Sequence, residues 1–135
     1  MKKDPFHARM LDNVTVGVDI EDVHRFEKLH PKTDKAFLGR IFTKQELKDC
    51  FSRKNAAEAL AARFSAKESV SKALNALDLP PIAFSDIEIT NDKRGVPKVA
   101  LAPRALRPYE VKLSMSHAKH LVLTAAVATK KYVGR

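Results

Sequence analysis

The run Arg63-Phe64-Ser65-Ala66-Lys67-Glu68-Ser69-Val70-Ser71-Lys72-Ala73-Leu74 constrains the fold of this chain more than any other stretch. At about 100° per residue, Ala59, Ala62, Ala66, Val70, Ala73 and Leu77 fall on one helical stripe, while Phe64, Ser65, Glu68 and Lys72 face away from it. A stripe made almost only of alanine lets a helix approach its packing partner closely, so the stripe is predicted to be the buried side. The opposite face then presents one acid and one base on a firmly held scaffold. Glu68 and Lys72 are an i,i+4 pair in the favourable order, worth a few tenths of a kcal/mol on a solvated helix. Taken alone, the helix reads as an ordinary surface salt bridge.

Size and charge narrow the classes open to the chain. With 135 residues and 44% hydrophobic content, it is long enough for one domain with a real core and too short for two. The expected division is a loose leader over residues 1–13 and one domain over 14–135. A formal charge of +9, from 25 basic and 16 acidic residues, draws an anionic partner: nucleic acid, a phosphorylated small molecule, an acidic protein or a membrane surface. Cys50 is the only cysteine, which excludes an intrachain disulfide, points to a reducing compartment and is a poor candidate nucleophile. Met1-Lys2-Lys3 is basic, yet Asp4, Pro5, His7, Arg9 and Asp12 interrupt any apolar region behind it. Leu121 to Ala128, the longest apolar stretch, contains Thr124 and falls far short of the roughly 20 residues of a spanning helix. A cytoplasmic protein without a membrane partner is expected.

The pattern along the chain is that of an α+β domain. Val14, Val16, Val18 and Ile20 alternate with Thr15, Gly17 and Asp19, giving a strand with one apolar face and Asp19 on the other. Gly17, two positions from Asp19, is predicted to leave room for a ligand beside the carboxylate. A helical pattern through Val23, Phe26 and Leu29 ends near Pro31. Thr43-Lys44-Gln45-Glu46 fits a capping box opening a further helix. The alanine-rich helix is predicted from about Asn55 to Leu77, stopped before Pro80-Pro81. Strands are predicted over Phe84 to Thr90 and Val96 to Leu101, joined by an Asp92-Lys93-Arg94-Gly95 turn. Two more strands, around Val111 to Met115 and over Leu121 to Ala128, flank a turn at His117-Ala118-Lys119-His120. Strands in this order suit an antiparallel sheet packed with the long helix, rather than βαβ repeats.

Three polar signals stand out: Asp19 at a strand end, the Glu68/Lys72 pair, and Ser114-Met115-Ser116-His117. Two carboxylates from different elements, with no cysteine or histidine cluster beside them, suit a hard divalent cation such as Mg²⁺ shared with a phosphate and waters. A strand-terminal turn former accounts for Asp19 equally well in isolation, and a hairpin histidine accounts for His117.

The segments Gly17-Val18-Asp19-Ile20-Glu21-Asp22-Val23-His24-Arg25, Arg40-Ile41-Phe42-Thr43-Lys44-Gln45-Glu46, Arg63 to Leu74 and Ser114 to His117 occur together in this order. That combination resembles the holo-[acyl-carrier-protein] synthases, the short-form 4′-phosphopantetheinyl transferase family, from about Val14 to Val127. Any one block is weak evidence, whereas four in order are specific. The resemblance implies the family's α+β fold in its single-unit form. It also implies Mg²⁺-dependent transfer of phosphopantetheine from coenzyme A to a serine of acyl carrier protein, releasing adenosine 3′,5′-bisphosphate, as needed in fatty acid biosynthesis.

By the same carry-over, Asp19 and Glu68 hold the metal and Lys72 reaches the pyrophosphate, so that these three are the catalytic candidates. Arg63, His117, Gly95 and Pro97 match positions that line the family's coenzyme A cleft together with Lys72. Arg25 matches the arginine that meets the acidic carrier protein. Two acceptors for the serine proton stay open, a water on the ion and Glu68 itself. The sequence departs from the family pattern at Ser65, at Val96 in the middle of the Gly-Val-Pro turn, and at Asp22, which adds an acid near the expected metal.

The short family members form trimers, and the resemblance implies a homotrimer here too. Sequence physics adds only that one small unit exposes a sheet face it cannot cover alone. The rival reading, a small basic nucleic-acid-binding domain, rests on the charge and on Lys130-Lys131 and Arg104/Arg107. It lacks a glycine-aromatic ribonucleoprotein motif, zinc-finger spacing or a GxxG clamp.

Overall fold

The computed structural model describes residues 13–131; the leader expected over 1–13 lies almost wholly outside them. Five strands, β1 (Val14–Asp22), β2 (Ile87–Asn91), β3 (Pro97–Leu101), β4 (Tyr109–Ala118) and β5 (Leu121–Lys130), combine with three helices, α1 (Lys35–Ile41), α2 (Lys44–Phe51) and α3 (Ala56–Asn75). The strands form a three-stranded antiparallel sheet in the order β1-β5-β4 and a separate antiparallel hairpin of β2 and β3. The α+β reading, with an antiparallel sheet packed on the long alanine-rich helix, is therefore what the molecule adopts. No helix among the described residues is long and apolar enough to cross a membrane.

Helices α2 and α3 begin where the sequence supplies a capping oxygen, whereas α1, after Asp34, has no side-chain cap bond. Thr43 Oγ1 accepts from Glu46 N at 3.2 Å while Glu46 Oε1 accepts from Thr43 N at 2.8 Å, the reciprocal capping box expected of this run. Asn55 Oδ1 accepts from Glu58 N at 3.1 Å and opens α3. The segment after β1 does not become the expected helix to Pro31. It forms a single 3-10 turn, Val23–Phe26, capped by Asp22, because so few residues before a proline rarely repay helix nucleation. Sequence periodicity also missed α1, whose one buried residue is Leu38.

The long helix sits against the three-stranded sheet at very close range. Gly17 is the point of nearest approach: a Cβ there would lie 2.0 Å from the Ser69 carbonyl oxygen and 2.7 Å from Ala73 N. The space that Gly17 was expected to leave for a ligand is thus filled by the backbone of α3. Small residues opposite it complete the fit, since Gly17 pairs with Ala126 and Thr15 with Ala128 on β5, and both alanines are buried. Thr15 Oγ1 donates to Ala73 O at 2.6 Å across the same seam. Ala66, Val70 and Ala73 pack there with Leu74, Ile87, Ile89 and Val111, as the alanine stripe requires.

The helix is enclosed on more than that stripe. Ser65, expected to face away, is fully buried, as are Lys67 and Ser69. Ser65 and Thr124 of β5 bond to one another, with 2.9 Å between their hydroxyl oxygens, and Thr124 Oγ1 also reaches Ser65 O at 2.9 Å. On a second side, Lys67 forms an ion pair with Glu46 at 2.7 Å in which neither side chain reaches solvent. Lys67 also donates to Phe84 O at 2.7 Å and to Ile87 O. The residues 84–86, expected as strand, accordingly form a 3-10 turn before β2. Glu46 Oε2 accepts from Ile89 N at 2.9 Å, so this pair ties α2, α3 and β2 together.

The apolar members of β1 point away from the core. Val16, Val18 and Ile20 are 61%, 55% and 61% exposed, and Leu123 of β5, opposite Ile20, is 50% exposed. The alternation is as the sequence predicts, but the helix takes the small and polar face, Thr15, Gly17, Asp19 and Glu21, and leaves the branched face open.

Candidate active site

The register of β1 places Asp19 and Glu21 two residues apart on the face toward α3, where Glu68 and Lys72 rise one helical turn from each other. Lys72 Nζ donates to Val18 O at 2.9 Å and approaches Asp19 Oδ1 at 3.4 Å. No ion pair joins Glu68 to Lys72 among the described residues; the lysine leans across to the strand instead. The expected i,i+4 salt bridge is replaced by a helix-to-strand contact. Burial first, then the Asp19 carboxylate, push the Glu68 acid up from its ordinary value, with Glu21 adding to the rise and Lys72 and Arg25 opposing it.

Negative charge is therefore gathered at one spot. One atom there has no answer among the described residues: Asp19 Oδ2 is buried with no hydrogen-bond partner. A buried carboxylate oxygen without a donor is costly unless a cation takes it. Oxygen donors from Asp19 and Glu68, an orphaned oxygen and crowded carboxylates are the donor set a hard divalent ion requires. Asp19 and Glu68 could hold such an ion.

Glu21 is the residue that sequence reasoning missed. Asp22 was singled out as the added acid, but it lies on the opposite face of β1 and its Oδ1 accepts from His24 N at 2.9 Å, capping the 3-10 turn. Glu21, only 7% exposed, is the one that faces Glu68. The signal was available, because residue i+2 on a strand shares a face with residue i. Glu21 Oε1 is held by the guanidinium of Arg25, so Arg25, whose side chain is 65% exposed, is engaged at its tip rather than free.

A second feature lies along the N-terminal half of α3. A cleft of about 590 Å³ is lined by Arg53, Lys54, Asn55, Arg63, Gly95 and His117 among others. The structure brings together three of the five expected coenzyme A positions, Arg63, Gly95 and His117, while Lys72 does not line the cleft. Pro97, at the start of β3, is not among the lining residues. Gly95 has φ +81 in the β2–β3 hairpin, a conformation that favours glycine. Arg63 is buried and pairs with Asp49 Oδ2, while its Nε has no hydrogen-bond partner among the described residues. His117 Nε2 lies 3.8 Å from Glu58 Oε1. It belongs to β4, paired with Val122, and the turn expected at 117–120 shrinks to Lys119 and His120 with Lys119 at φ 56. Asp19, Glu68 and Lys72 do not line this cleft; within one chain the two features share only helix α3. Cys50 is buried with its thiol pushed up to about 11, first by burial, which removes it as a nucleophile.

The family model of the 4′-phosphopantetheinyl transferase superfamily matches residues 15–128. The holo-[acyl-carrier-protein] synthase of Chlorobium phaeovibrioides is 34% identical over 122 residues, covering 89% of this chain and 98% of the relative. Among solved structures, the holo-[acyl-carrier-protein] synthase of Neisseria meningitidis superposes with a TM-score of 0.72 at 33% identity, over 86% of this chain and 98% of the other. That of Bacillus anthracis, solved in complex with CoA (3′,5′-ADP), gives 0.69 at 31% identity over 87% and 96%. With sequence and fold in accord over nearly the whole length, the chain belongs to the 4′-phosphopantetheinyl transferase superfamily, in the family of the holo-[acyl-carrier-protein] synthases.

Proposed function

We propose that this enzyme transfers the 4′-phosphopantetheine group from coenzyme A to a serine hydroxyl of an apo acyl carrier protein, with Mg²⁺ held by Asp19 and Glu68. The observation that carries the reading is the pairing of those two carboxylates across β1 and α3, with Asp19 Oδ2 buried and unpartnered between strand and helix. In the reaction the serine oxygen bonds to the phosphorus next to the pantetheine arm. The bond to the bridging pyrophosphate oxygen breaks, adenosine 3′,5′-bisphosphate leaves, and the serine proton is lost. A bound Mg²⁺ supplies charge neutralisation at the pyrophosphate. Lys72, whose side chain is 53% exposed, offers a point charge to the same phosphates. Glu68, held up by burial and Asp19, is a carboxylate disposed to accept a proton. Arg63 and His117 supply cationic donors on the cleft wall for the phosphate and adenine end of coenzyme A.

Mass spectrometry of an apo carrier protein incubated with this protein, coenzyme A and Mg²⁺ tests the reading. A phosphopantetheine mass shift supports it; an unmodified carrier with active reagents refutes it. A nucleic-acid-binding role finds no comparable support, since the chain's cationic cleft lies beside acids such as Glu58 rather than on an open basic stripe.

Residues 14–135 act as one unit in the cytoplasm, as a homotrimer with coenzyme A bound between subunits. The open apolar face of β1 and β5 supports association, because monomers seldom leave contiguous branched residues such as Val16, Val18, Ile20 and Leu123 in water. So does the separation, within one chain, of the carboxylates from the cleft. Sedimentation equilibrium at assay concentration is expected to return a multiple of the 15.1 kDa monomer mass, and Ile20→Glu should shift it toward monomer with loss of transfer. A fully active monomer would overturn the shared-cleft arrangement.

Arg25 is the proposed contact for the acidic carrier. Because Glu21 sits under it, Arg25→Gln is a cleaner test than a charge reversal. The expected result is a carrier KM raised several-fold with the coenzyme A KM little changed, and a salt dependence shallower than wild type. Exposed attractions of this kind are screened beyond roughly 8 Å at physiological ionic strength. An unchanged carrier KM at low salt would move the docking face elsewhere.

A further inference from the structure

We propose that Asp22, His24 and His120 form a surface site for a divalent transition-metal cation of the zinc class, separate from the Asp19 and Glu68 carboxylates. The proposal does not rest on the transferase reading. A carboxylate oxygen of Asp22 and one ring nitrogen from each histidine lie within 4.8 Å of one another. The two segments that carry them are tied by backbone. Asp22 pairs with Leu121, the residue after His120, and Val23 N donates to His120 O at 2.7 Å. The tight turn at Lys119 and His120, with Lys119 at φ 56, then sets the second ring over the first: the imidazoles of His24 and His120 stack with centroids 4.8 Å apart and planes at 21°.

Two imidazoles and one carboxylate are a borderline-soft donor set, suited to Zn²⁺ and its neighbours and not to Mg²⁺, which prefers oxygen throughout. The surroundings complete the pattern. His24 Nδ1 meets Glu27 Oε1 at 2.7 Å, the arrangement in which a carboxylate behind a ligand histidine fixes its ring and makes the other nitrogen a better donor. Asp22 Oδ1 is spent on His24 N, which leaves Oδ2 for the ion. Both histidines and Asp22 reach solvent, so an ion can enter and waters can fill its remaining positions. An ion here clamps the 3-10 turn that bears Arg25 to the β4–β5 turn.

Isothermal titration of Zn²⁺ into the full chain, with Mg²⁺ in excess, tests the site against His24→Ala, His120→Ala and Asp19→Ala. The expected result is one equivalent bound by wild type and by Asp19→Ala, and lost from both histidine variants at unchanged circular dichroism. Glu27→Gln should retain the equivalent with affinity about tenfold weaker. Co²⁺ should give a visible d–d absorption in wild type that each histidine variant lacks. Zn²⁺ binding that is absent from wild type, unaffected by both histidine changes, or abolished by Asp19→Ala overturns the proposal. Two conservative replacements, His24→Gln and His120→Gln, repeat the test should either alanine variant lose its native spectrum.

Discussion

Asp19→Ala and Glu68→Ala are each expected to lower phosphopantetheine transfer by at least about a hundred- to a thousandfold, the scale on which removal of one preorganised charge contact acts, with native circular dichroism. Each change leaves a single carboxylate for the ion, so raising Mg²⁺ should recover part of the rate. A second readout follows from the electrostatics. Burial and the Asp19 carboxylate push the Glu68 acid up in the folded chain. The folded state then binds this proton more tightly than the unfolded chain does. The stability that this contributes is present below the ordinary carboxylate range and is lost as pH rises through the raised value. At neutral pH without divalent cation, the ionised Glu68 is therefore a burden on the fold. Glu68→Gln should hold or raise the Tm there while losing transfer, and Mg²⁺ should raise the Tm of wild type but not of the variant. Near-normal turnover in either alanine variant, or a Tm that falls sharply in Glu68→Gln, would remove these residues from the metal site.

Lys67→Ala is expected to cost about 3–5 kcal/mol, the penalty for stranding one member of a buried ion pair. Against a total stability of about 5–15 kcal/mol, that removes a large part of the margin that keeps the chain folded. The reason is specific. Glu46 would keep its bonds from Thr43 N and Ile89 N but lose its only contact at 2.7 Å with a buried cation. The carbonyls of Phe84 and Ile87 would lose the bonds they accept from Lys67 Nζ as well, although Phe84 O keeps the one from Ile87 N. Burial pulls the Lys67 ammonium down from its ordinary value and Glu46 opposes that fall, so the pair stands or fails together. Urea denaturation would measure the loss. The double change Lys67→Met with Glu46→Gln should be milder than Lys67→Ala, since it strands no charge. A Lys67→Ala protein within about 1 kcal/mol of wild type, a scale typical of exposed pairs, would show the pair to be solvated.

How much of this was legible in the residues differs from element to element. The capping box at Thr43, the long helix from Asn55 and the alternation of β1 are local patterns, and the structure reproduces each because caps, alanine spacing and strand pleat act over a few residues. Asp19, Glu68 and Lys72 were legible as a group through four ordered blocks, and Arg63, Gly95 and His117 do share a cleft. Glu21 was overlooked in favour of Asp22, although the strand's two-residue period already put Glu21 beside Asp19.

The chain's sequence by itself determined the class of fold, the helix that carries the acid and the base, and the family. Such features are written in spacing, and spacing survives without knowledge of what packs against what. Tertiary structure alone decided which face of β1 is inside. Gly17, Ala126 and Ala128 let the α3 backbone come down on the polar side, which leaves Val16, Val18 and Ile20 in water. The same closeness turned Lys72 from Glu68 toward Asp19 and Val18. It also left Asp19 Oδ2 buried without a partner, because whether a carboxylate is satisfied depends on donors that arrive from distant parts of the chain.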